Sequence, residues 1–149
     1  MPVLAIPKSF TYHTAVDNVL GRTAVAHSGT KPEIRVASPP EFKGEEGMWT
    51  PEDLFVSSIE VCLMLTFVGI ADKRDLIFAR YESTAEGLLE WVDGAYRFTR
   101  VIVRPRISVE EESDIVDARV VLERAHATCL VARSVSAAVI IEPEVVIES

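Results

Sequence analysis

Alternating apolar and polar residues predict three short strands in the first third of the chain. They fall on FTYHTAVDNV, RTAVAH and EIRVAS, with turns at Gly21 and at SGTKP. Residues 38–47, SPPEFKGEEG, contain two prolines and two glycines and are predicted to form a loop.

The stretch TPEDLFVSSIEVCLMLTFVGIAD predicts one long helix. Thr50 suits the N-cap, Pro51 suits the first helical position, and the two acidic residues that follow favour the positive end of the helix dipole. The helix is expected to run to about Lys73. Nearly every face is apolar over residues 61–71, so protein is expected to surround this part of the helix.

Two long strands are predicted next, over LIFARYESTAEGLLEW and AYRFTRVIVRPRISV. The Asp93-Gly94 pair between them is a strong signal for a hairpin turn. Alternation within YRFTRVIVRPRI indicates a sheet with one solvated face. Pro105 cannot donate to a ladder hydrogen bond, so it predicts an edge strand or a strand end.

A second helix is predicted over about residues 110–127, followed by a short helix or turn at HATCLVARSV. A final strand, AAVIIEPEVVIE, is interrupted at Pro143. The order of elements predicts an α+β fold with a mainly antiparallel sheet, in a single domain over residues 1–149. The apolar positions that carry the helical period are Ile115, Ala118, Leu122 and Ala125.

Composition restricts the classes of function. The chain is 48% hydrophobic and 26% charged, which is typical of a soluble globular protein. Its net charge of −8 argues against nonspecific binding to nucleic acid. The N-terminal MPVLAIPKSF lacks the features of a signal peptide, and the apolar run 61–71 is too short to span a bilayer. We therefore expect a cytoplasmic protein with no membrane partner.

The chain contains two cysteines, Cys62 and Cys129, and no CxxC motif. Each belongs to or adjoins a predicted helix and has apolar neighbours, which is typical of inert core cysteines. A reactive thiol in apolar surroundings needs a nearby cation to ionise. Two packed helices could bring the thiols within disulfide reach, and in the cytoplasm such a pair would be redox-active rather than structural. The residues alone leave both alternatives open.

Each cysteine belongs to a longer motif. One is the PE-x-L-F-x-x-x-x-x-x-C pattern that starts at Pro51 and ends at Cys62, and the other is ERAHATC, which ends at Cys129. Together these motifs resemble the OsmC/Ohr family of organic hydroperoxide reductases. The resemblance covers nearly the whole chain, because the strands and helices are predicted in the family order. It implies an OsmC-like fold with two central helices that carry the cysteines, in an intertwined homodimer with sites at the subunit interface.

The resemblance also implies roles. Cys62 matches the peroxidatic cysteine, which becomes a sulfenic acid, and Cys129 matches the resolving cysteine, which forms a disulfide with it. Glu52 matches a glutamate that holds an arginine against the thiolate, and Arg22 is the best candidate for that arginine, ahead of Arg35. No cofactor is expected, and no metal site either, because the histidines and thiols lack ligand spacing.

Several features qualify this assignment. Ten helical residues span about 15 Å, so Glu52 cannot lie beside Cys62 of the same straight helix. Either the helix bends, or Arg22 bridges the two residues, or the glutamate comes from a second subunit. Glu52 by itself would also suit the helix N-terminus, and His126 is expected to be structural rather than a base. Leu130 follows Cys129 where the family commonly has proline, and KGEEGMWT replaces a glycine-rich approach to the first motif.

The leading hypothesis is a homodimeric thiol-dependent peroxidase that reduces organic hydroperoxides through a Cys62 sulfenic acid and a Cys62–Cys129 disulfide. Its partners would be a small hydroperoxide and a thiol reductant, either a small thiol or a dithiol such as a lipoyl group. The apolar helix around Cys62 favours hydrophobic peroxides. The alternative is a non-catalytic OsmC-like ligand-binding or interaction dimer, which the Cys129-Leu130 turn favours.

Overall fold

The computed structural model describes residues 8–148. Internal contacts divide the chain into two compact units, one up to Asp53 and one from Leu54 onward. Each unit is described in turn. The assignment of all 149 residues to a single domain stays a prediction.

The first unit contains a three-stranded antiparallel sheet in the order β1-β2-β3. The three predicted strands are present, but the first begins at Ala15 rather than at residue 10. Ala15 pairs with His27, the last residue of β2, so the residues before Ala15 have no ladder partner on that strand. The strands are β1 Ala15–Leu20, β2 Thr23–His27 and β3 Ile34–Ala37.

The segment between β3 and the first helix is a loop, as predicted, with a short 3-10 helix at Pro40–Phe42. The helix α1, Pro51–Lys73, then begins and ends where the sequence predicts. Its start is fixed by two reciprocal hydrogen bonds: the Asp53 N–H donates to the Thr50 hydroxyl, and the Thr50 N–H donates to the Asp53 carboxylate, each at 3.0 Å. This is a capping box, in which two otherwise unpaired donors are satisfied.

A long hairpin dominates the second unit. β4, Arg80–Val92, pairs antiparallel with β5, Ala95–Val109. The turn between them has positive φ at both central residues, 51° at Asp93 and 86° at Gly94, which is the conformation that the Asp-Gly signal predicts. The remaining elements are α2 Ser113–Thr128, a 3-10 helix Ala132–Ser134, β6 Ala138–Ile141 and β7 Glu144–Ile147.

The final strand is split into β6 and β7, which both pair with β5 and run parallel to it. The interruption at Pro143 is therefore confirmed, and the α+β class is confirmed with a mixed second sheet. The prediction that Pro105 marks an edge strand or a strand end was wrong, because β5 is paired along both sides. Pro105 lies between the segment that pairs with β6 and the segment that pairs with β7, where the ladder is broken and no N–H is needed.

The hydrophobic core combines one face of α1, the inner face of α2 and alternate residues of β5. Gly87 on β4 allows α1 to approach closely, since a Cβ at this position would lie 2.6 Å from the Val56 side chain. The α1 residues in the core recur every four positions: Ile59, Leu63, Phe67 and Ala71.

The opposite face of α1 is apolar and exposed, so a single chain does not by itself provide the surrounding protein that the sequence predicts for this helix. Val61 is 47% exposed, Leu65 63% and Val68 38%. The helix has 23 residues, so by length and composition it could cross a membrane, although its apolar run 61–71 alone is too short to do so. Core helices of soluble proteins pass the same test, and one face of α1 is packed in the core.

Candidate active site

The two thiols lie against each other. Cys62 is in the middle of α1 and half-buried, and Cys129 is the buried residue at which α2 ends. Both are free thiols, and the Cys129 S–H donates a hydrogen bond to the sulfur of Cys62. The hydroxyl of Thr66, one helical turn after Cys62, lies 3.9 Å from the same sulfur.

Backbone donors complete the surroundings of the Cys62 sulfur. The chain turns directly after Cys129, where the Arg133 N–H donates to the Cys129 carbonyl at 3.0 Å. In this turn the backbone N–H groups of Leu130 and Val131 donate to Cys62, and that of Ala132 donates to Cys129. Successive N–H groups that point to one side form a concavity that binds anions. The segment after α2 is thus built to hold a thiolate.

The pKa of Cys62 is set by opposing effects. Burial is the largest single effect and raises the pKa, but hydrogen bonds from the Val131 N–H, the Cys129 thiol, the Thr66 hydroxyl and the Leu130 N–H together outweigh it. The pKa of Cys62 therefore lies below that of an ordinary cysteine.

The pKa of Cys129 is shifted in the opposite direction. Burial raises the pKa of Cys129, and the hydrogen bond that it donates to Cys62 and the negative charge of that thiolate raise it further. The N–H groups of Ala132 and Val131 lower it without reversing the direction. Cys62 consequently ionises first, while Cys129 keeps its proton. A nucleophilic thiol paired with a resolving thiol requires this order of ionisation.

The backbone N–H of Leu130 helps to lower the pKa of Cys62, which the sequence did not reveal. Proline has no N–H, so the hydrogen bond from position 130 to Cys62 exists only because leucine stands there. With leucine in this turn the two sulfurs remain in contact.

Arg22 and Glu52 belong to the first unit. Arg22 is the second residue of the two-residue turn between β1 and β2, and its Nη1 donates to the carbonyl of Phe42. Glu52 is in the first turn of α1, and one of its carboxylate oxygens, Oε2, is buried without a hydrogen-bond partner among residues 8–148. Within the same residues no ion pair joins Glu52 to Arg22, or to Arg35, which lies on β3.

His126 is structural, as the sequence analysis favoured. Its Nε2 lies 3.2 Å from the carbonyl oxygen of Val139, so the ring joins α2 to β6. Across the part of the chain that the structure describes, no group of three or more His, Cys, Asp and Glu side chains is arranged to hold a metal ion.

The backbone donors at 130–132 were not predicted from the sequence, and neither was the buried hydroxyl of Tyr81. Backbone N–H groups have no sequence signature. Tyr81 is an inward-facing position of β4, and its alternation with exposed neighbours was the signal that could have identified it.

The sequence model of a family described as OsmC-like protein matches residues 44–144, which is more than half of the chain and includes both cysteines. No curated protein matches the chain.

Many solved structures share the fold, and three of them are described here. An OsmC-like protein of unknown function from Vibrio cholerae is 22% identical, with a TM-score of 0.81, over 91% of this chain and 99% of that chain. An organic hydroperoxide resistance protein from Elizabethkingia anophelis is 17% identical, with a TM-score of 0.75, over 96% and 100% of the two chains. An organic hydroperoxide resistance protein from Legionella pneumophila is 18% identical, with a TM-score of 0.68, over 94% and 98%. At these identities the comparison concerns the fold alone.

Proposed function

The chain belongs to the OsmC-like protein family, and on this premise we propose that it is a thiol-dependent peroxidase that reduces organic hydroperoxides. The observation that carries the proposal is the pairing of the two sulfurs, in which Cys129 donates to Cys62 and the pKa of Cys62 is lowered by hydrogen bonds that outweigh its burial. The names of two relatives of similar fold, both organic hydroperoxide resistance proteins, support the substrate class.

The proposed cycle has three steps. The Cys62 thiolate attacks one peroxide oxygen, the O–O bond breaks, and the departing alkoxide takes up a proton and leaves as an alcohol, so that Cys62 becomes a sulfenic acid. Cys129 then attacks the sulfenic sulfur, the S–O bond breaks, and one water leaves as the disulfide forms. An external thiol, either a small thiol or a dithiol such as a lipoyl group, reduces the disulfide.

Arg22 and Glu52 are proposed to assist the first step. A guanidinium can stabilise the negative charge that develops on the leaving oxygen, and a carboxylate can orient the guanidinium through a bidentate pair. The buried Oε2 of Glu52, which has no partner among residues 8–148, supports this role, because a buried carboxylate oxygen gains most from a charged donor.

A homodimer in the cytoplasm is the proposed working form. The exposed apolar face of α1, which contains Val61, Leu65 and Val68, supports a second copy of the chain as its partner. The same apolar surroundings of Cys62 support a preference for organic hydroperoxides over hydrogen peroxide. The non-catalytic alternative gains no support from the Cys129-Leu130 turn, since this turn supplies donors to Cys62.

The first test is the intact mass of reduced protein after one equivalent of cumene hydroperoxide. The proposal predicts a loss of about 2 Da that maps to a Cys62–Cys129 crosslink. A gain of about 16 Da without a crosslink would indicate a one-cysteine peroxidase. An unchanged mass, equal to that of a Cys62→Ser control, would reject the peroxidase and leave the non-catalytic binding dimer.

A further inference from the structure

The hydroxyl of Thr66 is a polar group beside the reacting sulfur that the cycle above does not use. Thr66 lies four residues after Cys62 on α1, so the two side chains share one face of the helix. Its Oγ1 lies 3.9 Å from the Cys62 sulfur, which is within hydrogen-bond distance for sulfur. The Thr66 side chain is half-buried, so water competes only in part for this contact.

The direction of the Thr66 hydroxyl leaves it available for chemistry at Cys62. Serine and threonine hydroxyls on helices commonly donate to the carbonyl three or four residues earlier. Ser58 on the same helix does so, with its hydroxyl 2.7 Å from the Phe55 carbonyl oxygen. Within residues 8–148 the Thr66 hydroxyl makes no such bond, and its hydrogen-bond partner is the sulfur of Cys62.

This hydroxyl is the donor whenever Cys62 is reactive. A thiolate has no proton, so the sulfur of ionised Cys62 can only accept. The same hydrogen bond helps to lower the pKa of Cys62. A hydroxyl also rotates about a single bond to suit its acceptor, so it can follow the acceptor when the sulfur is oxidised.

The other donors to Cys62 come from the element that carries the attacking thiol. The N–H groups of Leu130 and Val131 belong to the turn that directly follows Cys129. Thiolate attack on a sulfenic sulfur is an in-line displacement, in which the bond that breaks lies opposite the bond that forms. The sulfenic oxygen of Cys62 therefore points away from Cys129 during the attack. A donor on α1 is better placed to meet this oxygen than a donor on the turn.

We propose that Thr66 is a catalytic residue of the resolving step, in which its hydroxyl donates a hydrogen bond to the sulfenic oxygen of Cys62 and stabilises that oxygen as it leaves. The inference rests on the proposed peroxidase function and deepens it. A donor is needed because negative charge develops on the oxygen as the S–O bond breaks. The same hydroxyl thus serves the thiolate before oxidation and the leaving oxygen after it.

The resolving step balances in atoms and electrons. Cys129 loses its proton to solvent, and its thiolate forms the S–S bond with the sulfur of Cys62. The S–O bond breaks, its electron pair leaves with the oxygen as hydroxide, and the hydroxide takes one proton from solvent to give water. Thr66 keeps its own proton, and the organic hydroperoxide that produced the sulfenic acid is the oxidant.

The decisive variant is Thr66→Val, which replaces the hydroxyl by a methyl group and keeps the branched shape. Rapid mixing with an organic hydroperoxide separates sulfenic acid formation from disulfide formation. At a pH at which Cys62 is fully ionised, we expect the first rate to change less than about twofold and the second to fall about tenfold, the effect of one hydrogen bond to a charged group. Thr66→Ser keeps a hydroxyl and should restore disulfide formation. Ser58→Ala removes a hydroxyl one turn before Cys62 and is the matched control, which should match wild type.

Three kinetic outcomes would overturn the inference. One is an equal rate of disulfide formation in Thr66→Val and wild type. Another is slowing that disappears once Cys62 is fully ionised, because that pattern reflects only the acidity of the thiol. The third is equal slowing of both steps at that pH, which would indicate a general disturbance of the site.

A second measurement does not depend on peroxidase activity. In a Cys129→Ser background, which leaves one thiol, the alkylation rate as a function of pH reports the pKa of Cys62. Thr66→Val should raise that pKa and move the profile to higher pH, because the thiolate loses a donor. An unchanged profile rejects the contact between Thr66 and Cys62. If wild type forms no sulfenic acid, the proposed function fails, and this titration still decides the contact.

Discussion

The thiol of Cys129 donates a hydrogen bond to the sulfur of Cys62. The two thiols therefore titrate as a coupled pair, and Cys62 loses its proton first. The contact joins the middle of α1 to the end of α2, and the turn after α2 adds backbone donors to the same sulfur.

Changing Cys129 should affect the acidity of Cys62 according to the hydrogen-bonding group that replaces it. Cys129→Ala removes the donor, so the pKa of Cys62 should rise and its alkylation near neutral pH should slow several-fold. Cys129→Ser keeps a donor and should stay close to wild type. Alkylation rate as a function of pH measures both variants. Identical profiles for the alanine and serine variants would contradict the donor role.

The residue after Cys129 offers a test of the backbone donors. Leu130→Pro removes the N–H that donates to Cys62, and the extended backbone of Cys129, with ψ of 108°, is compatible with a following proline. The pKa of Cys62 should rise, and the rate of its reaction with hydroperoxide should fall at neutral pH. Leu130→Ala keeps the N–H and serves as the control, which should match wild type. A proline variant as reactive as the alanine variant would show that Leu130 contributes nothing through its N–H.

The two thiols should have opposite effects on how stability depends on pH. Folding lowers the pKa of Cys62, so its ionisation stabilises the fold above the unfolded-chain pKa, and that contribution is lost as the pH falls through the folded pKa. Folding raises the pKa of Cys129, so its contribution is present below the unfolded-chain pKa and is lost as the pH rises through the folded pKa.

Single variants separate these two effects. Around the ordinary cysteine pKa of 9.0, the free energy of unfolding should rise with pH in Cys129→Ser and fall with pH in Cys62→Ser, each relative to the double variant. Urea unfolding under reducing conditions at a series of pH values provides the measurement. Slopes of the same sign in both single variants would refute the assignment.

Arg22 and Arg35 can be distinguished by substitution. If Arg22 stabilises the leaving oxygen, Arg22→Ala should slow sulfenic acid formation by tenfold or more, on the order of the effect of one charged donor in a transition state. Glu52→Gln should slow the same step by a smaller factor, because it weakens the orientation of the guanidinium. Arg35→Ala should have little effect. The opposite ranking of the two arginine variants in single-turnover kinetics would transfer the role to Arg35.

The capping box at the start of α1 should contribute to stability. Thr50→Ala removes the hydroxyl that accepts from the Asp53 N–H and should lower the free energy of unfolding by about 1 kcal/mol. Thr50→Ser keeps an acceptor and should lose much less. Chemical denaturation of the two variants under reducing conditions measures the difference, and equal losses would indicate that the threonine methyl group matters rather than the cap.

Local signals in the sequence were enough to predict most of the fold. The Thr50 cap, the Asp93-Gly94 turn and the interruption at Pro143 each depend on residues close together in the chain, and the structure confirms all three. The predictions about Pro105 and about the start of β1 were wrong because they depend on which strands lie alongside. A strand ends where its partner strand ends, and the local sequence does not show which strand that partner is.

The properties of the two thiols also depend partly on local sequence and partly on tertiary structure. The sequence by itself identified Cys62 and Cys129 as the informative residues, through motifs in which residue type and spacing suffice. Only the tertiary structure decided that the Cys129 thiol meets Cys62 and that the N–H groups of Leu130 and Val131 point at the same sulfur. The physical reason is that the acidity of a thiol depends on burial and on the direction of donors, including backbone donors that every residue except proline carries.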